Sequence, residues 1–295
     1  MSRRFFVYLI LFNMLSVRVS AQSEPVAEIF CGAELNYADI NFTRLYNVLL
    51  NVAPGAKVHL GNDWDISAQV FWPFINEGYP KRNSMVRLNM ANISKEIHFV
   101  NANQHFKLTA GLFSRERYGS DIRWMYPINS WLLVQARTGI VSDWRLGFDW
   151  SGGSESEFGN KWNLFCTLGA NVWLNPWNTE LRASGGRYLN KDYGVEFEVI
   201  RHFNHCSVSM FLSKHERIVN TGGAHSISGG FRIVMMLPPY TKEKRKILFR
   251  PASNFRLTYN AQSDGYSMKK YNTDPEENER TNPINVPWGT GNFNE

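Results

Sequence analysis

The amino-acid sequence predicts an all-β protein, a transmembrane antiparallel outer-membrane β-barrel of about 12–14 strands. Three observations predict it. Segment after segment alternates apolar and polar side chains with a period of two, which is the period of a strand. The apolar face keeps one sense along many segments, as it must where one face meets lipid and the other a hydrated lumen. Aromatic residues are abundant, at 10 Trp, 12 Tyr and 20 Phe, and amphipathic rings favour the water–lipid boundary. Beyond residue 21 no apolar run approaches the ~20 residues of a spanning helix, and the mean hydropathy is −0.34. A barrel is compatible with both, because each of its strands needs only about 9–11 residues with every second one apolar.

Residues 1–21 read as a cleaved secretory signal: Arg3 and Arg4 precede an apolar core over Phe5–Leu15, and Val19-Ser20-Ala21 supplies small residues for the peptidase. Residues 22–260 then form one barrel domain, since all-β barrels exceed 200 residues as single units. The clearest strands lie between Asn178 and Lys214. Tyr193, Val195, Phe197 and Val199 share one face, and Gly194, Glu196 and Glu198 the other. Upstream, Trp64–Trp72, Val86–Met90, Phe106–Leu112, Leu132–Ile140, Trp144–Trp150 and Trp162–Leu174 alternate in the same sense, and Ile227–Leu237 follows. Weaker segments at Glu28–Asp39, Leu45–Leu60 and Ser120–Tyr126 bring the candidates to thirteen. Bacterial single-chain barrels have even strand numbers, so one candidate is spurious or Ile247–Asn260 adds another.

Gly61-Asn62-Asp63 and Pro127-Ile128-Asn129 read as tight turns, and Pro54-Gly55 as a bulge or kink. Longer connections at Ile75–Asn83, Ser151–Asn160 and His215–Ala224 do not all fall on one side of this strand count. Lys242–Lys246 is a charge run, most simply a solvated segment. From Ala261 to Glu295 the chain is polar and reads as a flexible tail. Of the three cysteines, Cys166 lies on an apolar strand face, while Cys31 and Cys206 form a disulfide only if the fold brings them together.

Catalytic signatures are missing. There is no Gly-x-Ser-x-Gly, no phosphate-cradling Gly-rich loop and no His-Glu-x-x-His. His202, His205 and Cys206 form the densest metal-like cluster, but they straddle a hairpin turn and read as interfacial turn residues rather than ligands. The expectation is therefore a protein that is not an enzyme and that carries no metal, no cofactor and no nucleic acid. A lipid hydrolase would need a serine and a histidine converging on one outer face.

The faces opposite the apolar ones are informative. Arg87, Lys107, Arg137, Arg145, Arg182 and Arg232 stand there against Asp65, Asp143, Asp149, Glu180, Glu196 and Glu198. Mixed signs would pair across strands and brace a wet interior. A polar passage or docking surface for a glycan is the functional reading, with Arg182, Glu196, Glu198, Arg137, Arg145, Asp149 and Trp173 as lumen-facing contacts. Phe71, Phe165 and Phe211 add rings on that face.

Gly186–Phe203 (GRYLNKDYGVEFEVIRHF), followed by a strand, a Gly-rich loop and Gly230–Pro238 (GFRIVMMLP), resembles the C-terminal part of the YjbH-like family. Leu50–Pro54 with Ile66–Val70, and Leu112–Asp121, are similar to the same family. The resemblance covers about Asn51 to Arg256 and rests on hairpin and strand patterns. It implies a bacterial outer-membrane barrel associated with exopolysaccharide production, with outer-membrane lipid, the exopolysaccharide and other envelope secretion proteins as partners. It implies no catalytic residues. A general diffusion channel or structural barrel without glycan specificity is the alternative.

Overall fold

The structure is a computed structural model that describes residues 26–40, 47–148, 154–189, 191–216, 225–238, 246–253, 255–262 and 270–277. The expected signal peptide, Asp149 and residues 242–245 of the charge run lie outside them. The strands are β1 (Ala27–Ile40), β2 (Asn47–Gly61), β3 (Trp64–Glu77), β4 (Val86–Phe99), β5 (Gln104–Phe113), β6 (Arg117–Pro127), β7 (Leu132–Phe148), β8 (Ser154–Phe158) and β9 (Asn163–Leu174). They continue as β10 (Thr179–Arg187), β11 (Tyr193–His202), β12 (Cys206–Glu216), β13 (His225–Met235), β14 (Ile247–Pro251) and β15 (Phe255–Gln262). Among the described residues there is no α-helix.

The sheet closes on itself as a barrel of 13 strands. β14 and β15 act as one interrupted stave: β14 pairs with the first part of β1, Ala27 opposite Ile247, and β15 with the second, Glu34 opposite Arg256. β8 pairs only with the end of β7 and stands off the ring. Both corrections to the expected strand count follow from continuity. Leu132–Ile140 and the described part of Trp144–Trp150, up to Phe148, expected as two strands, belong to the single strand β7, and β14 with β15 supplies a stave in exchange.

Thirteen departs from the even number expected of a bacterial single-chain barrel, and an odd number has a geometric consequence. Each hairpin reverses the chain, so the first and thirteenth staves run the same way and must close in parallel. β1 does pair in parallel with β14 and β15, while the other pairings are antiparallel. The expected all-antiparallel barrel is corrected at this one seam. The revised count also sorts the connections. Residues 62–63, 100–103, 128–131, 175–178 and 203–205 turn at one end; the strands β1, β3, β7 and β12 all finish at the other, upper end, where 78–85 connects β3 to β4. Asn62 and Asp63 both have positive φ, as the tight two-residue hairpin turn requires. At Pro54 the register holds, and the two shifts in the β2–β3 ladder fall instead between Leu50 and Asn51 and between His59 and Gly61.

Burial is inverted relative to a water-soluble domain. Large apolar side chains stand exposed on the outer face, including Ile66, Ile140, Leu168, Phe197, Met210 and Leu212, whereas Gln69, Asn92, Lys107, Asp121, Arg123, Glu180 and Glu198 are buried inside. Exposed rings gather toward both ends: Phe99, Trp131, Trp177 and Phe203 by the short turns, and Trp72, Phe74, Phe158, Trp162 and Tyr193 at the other end. The expected alternation therefore holds, with two exceptions. Met90, expected on the outer face, is 1% exposed and lines the lumen, because the β3–β4 ladder shifts register between Gln69 and Val70. Trp144, expected on the apolar outer face, is 1% exposed and its indole N–H donates to the Arg117 carbonyl at 2.7 Å. The reason is that β7 outruns β6 and bends over the β5–β6 turn to pair with β4, Val86 opposite Phe148. That overhang covers Trp144, while Leu146 and Phe148 remain exposed.

All three cysteines are free thiols. Two staves, β13 and β15, separate Cys206 on β12 from Cys31 on β1. Three strand spacings amount to ~14 Å, beyond the ~7 Å reach of a disulfide.

Candidate functional site: the barrel lumen

Alternation sends every second side chain of each stave inward, and the inward set is polar and charged. Along β10 and its neighbours, Glu180 accepts from Arg182 at 2.6 and 3.0 Å, from Asn171 at 2.9 Å, and lies 3.1 Å from the His202 ring nitrogen. Trp173 packs on His202 with ring centroids 4.9 Å apart. His202 therefore faces the lumen carboxylate Glu180. On the next staves Glu198 accepts from Arg232 and from Ser209, both at 2.8 Å, and the Arg232 guanidinium sits 4.1 Å over the Phe211 ring. Arg182 and Glu180 stand two residues apart on β10, whereas Arg232 on β13 reaches Glu198 on β11 past the intervening stave β12.

The expected flexible tail needs a correction. Residues 270–277 thread into the lumen and are gripped along their length. Tyr271 is 1% exposed and donates its hydroxyl to Asp121 at 2.6 Å. Its ring stacks on Phe113 at 5.3 Å, meets Phe165 at 5.3 Å and lies 4.3 Å beneath the Arg137 guanidinium. Arg137 also donates to the Tyr271 carbonyl at 2.9 Å and to Asp121 at 2.8 Å. With Val141, Tyr188 and Leu189 these rings form an apolar pocket inside an otherwise polar lumen. Gly139 makes the room: a Cβ there would lie 1.9 Å from the Tyr271 hydroxyl.

The rest of the segment follows in register with the wall. Lys270 pairs with Glu196 at 2.5 Å. Asn272 and Ser114 exchange two bonds, at 2.7 and 3.1 Å. Thr273 accepts from Asn92 and Arg123, Asp274 lies 3.6 Å from Lys57 and 3.8 Å from Lys107, and Glu277 pairs with Arg123 at 2.7 Å. Glu276 receives Arg250 at 2.7 and 2.5 Å, and Arg250 also holds Glu28. Burial pushes the Asp274 carboxyl upward, but Lys57 and Lys107 outweigh it and hold the group down at about 2. Burial and Asp121 raise the Tyr271 phenol, which stays a neutral donor.

Of the residues expected to line the lumen, Arg182, Glu196, Glu198, Arg137 and Trp173 do so, each already engaged as described. Arg145 does not. It lies on the overhanging end of β7, half exposed, 3.6 Å from Glu157 of β8, because the ring of staves has ended below it. Asp143 is likewise exposed and pairs with Arg117. Sequence reasoning missed Asp121, Arg123 and Tyr271, the centre of the gripped segment. The parity of β6 offered a signal for the first two, since Ile122 between them is exposed outside. Tyr271 offered only an isolated ring in polar surroundings.

Beside the segment the lumen keeps a cavity of about 690 Å³, lined by Glu34, Phe71, Tyr79, Arg87, Arg115, Glu196, Phe211, Arg232 and Arg256 among others. No family model matches the chain, and no curated protein matches it.

Proposed function

We propose that this chain is a bacterial outer-membrane β-barrel that assists production or secretion of an exopolysaccharide without performing catalysis itself. The observation that carries the membrane assignment is the inverted burial: apolar outside, charged inside, rings toward both ends. Such a surface is stable only in contact with lipid, because large contiguous apolar areas in water drive association. A wet, mixed-charge lumen with Phe71 and Phe211 on its cavity suits a hydroxyl-rich polymer, and the YjbH-like motifs supply the glycan class. Residues 270–277 then act as an internal stopper that has to move for a polymer to pass.

The test is extracellular polysaccharide output in cells lacking the gene, restored by wild type or by a Glu196→Gln/Glu198→Gln double variant. Reduced output in the deletion, restored by wild type but poorly by a double variant that still inserts, is expected. Unchanged output on deletion overturns the reading. A general channel or structural barrel is the second reading, favoured by the fact that Glu196 and Glu198 already hold Lys270 and Arg232. Full restoration by the double variant would select it.

A further inference from the structure

Among the described cations that line the cavity, Arg87 and Arg115 have no ion pair, and Arg87 donates to the Asn83 carbonyl at 3.1 Å. Arg115 sits at the tip of the β5–β6 turn, which β7 overhangs and which the Ser114–Asn272 bonds pin against the threaded segment. Arg115 and Glu116 have φ of 56° and 62°, a left-handed conformation that is unfavourable for residues with a side chain. Glu116 is taken by Arg82 at 2.5 Å. Among the described residues Arg115 makes no ion pair and no hydrogen bond, yet its guanidinium lines the cavity.

The carboxylates that act on it are committed elsewhere: Glu34 to Arg256 at 3.2 Å and Glu196 to Lys270 at 2.5 Å. Arg115 is itself exposed, and the neighbouring cations Arg256 and Arg232 add positive charge beside it. A guanidinium that is exposed to the cavity and has free donors is stabilised by an anion that brings its own acceptors. The cavity of about 690 Å³ falls in the range that encloses a small-molecule-sized ligand. The rings of Phe71 and Phe211 line the same space, with the Arg87 and Arg232 guanidinium groups 5.3 and 4.1 Å from their centroids.

We propose that Arg115 anchors the carboxylate of an acidic sugar unit, so that the glycan handled by this barrel carries uronate-type groups. This rests on the exopolysaccharide reading and narrows its substrate class. The planar guanidinium fork matches a carboxylate through two parallel hydrogen bonds.

The purified full-length barrel in detergent is titrated calorimetrically with trigalacturonate, with maltotriose as the neutral probe and inorganic phosphate as competitor. Trigalacturonate should bind at least about tenfold more tightly than maltotriose, the effect of one charge-assisted contact. Arg115→Gln should lose that advantage while leaving maltotriose unaffected, and Arg115→Lys should keep part of it. Heat-modifiable gel mobility checks that both variants remain folded barrels. Equal trigalacturonate affinity in wild type and Arg115→Gln, or no binding in wild type, overturns the proposal. Loss of maltotriose binding to the same degree overturns it too, as a change of lumen shape. Phosphate displacing trigalacturonate with equal strength marks a generic anion site and overturns the sugar class. Polysaccharide output in the deletion strain is read separately: its failure to fall defeats the secretion reading, while the titration decides the anion site.

Discussion

Loss of Tyr271 should weaken the docking of residues 270–277 in the lumen measurably. The Tyr271→Phe change removes one hydrogen bond to a charged acceptor, Asp121, which keeps Arg137 as a partner. That loss is worth about 1.5–3 kcal/mol. Tyr271→Ala removes the ring as well, with its stack on Phe113 and its contact with Arg137, and truncating a fully buried ring costs about 3–5 kcal/mol. The assay is tryptic cleavage after Lys269 and Lys270 in the folded barrel, under conditions where opening is fast and cleavage reports the open population. At 1.4 kcal/mol per tenfold, cleavage should accelerate about tenfold to a hundredfold in Tyr271→Phe and a further tenfold or more in Tyr271→Ala. Strand integrity is followed by heat-modifiable mobility, which should change little. If Tyr271→Ala is cut no faster than wild type, the pocket of rings is not what holds the segment and the argument fails.

Gly139→Ala should undock the segment from the opposite side, because the added Cβ would overlap the Tyr271 hydroxyl; unchanged tryptic protection would contradict the geometry. Acid should do the same through Asp274. Its carboxyl is held at about 2 against an ordinary 3.8, so its contribution to docking is complete above pH 4 and is lost as pH falls from there to about 2. Asp274→Asn should flatten the part of the docking pH profile between those limits; an identical profile would show that Asp274 is not responsible. On the outer face, Leu212→Arg near the middle of β12 should cost ~2–4 kcal/mol in lipid, and Leu146→Arg on the β7 overhang only ~0–1 kcal/mol. Equal losses in a reversible unfolding assay would remove the membrane assignment of that face.

The strands, their inward and outward faces and the polarity of the lumen were legible in the chain, because a period of two is written residue by residue and needs no partner to be read. Phe197 against Glu196 and Glu198 is the plainest case: the ring faces outward and the carboxylates face in. Three matters depended on where strands end and what they meet, and these were decided only in three dimensions. β7 runs unbroken through Gly139 and Asp143, and its overhang buries Trp144 and carries Arg145 out of the lumen, since the ladder of β6 stops at Arg117. The thirteenth stave is split around residues 252–254 and closes in parallel, which no local pattern specifies. Residues 270–277 are too polar to read as buried, and they are buried because Asp121, Arg123, Arg137, Lys57, Lys107 and Arg250, far apart in sequence, supply the charges that replace water around them. Alternation is a property of the chain itself, whereas a buried polar segment is tolerated only by partners that the closed barrel brings together.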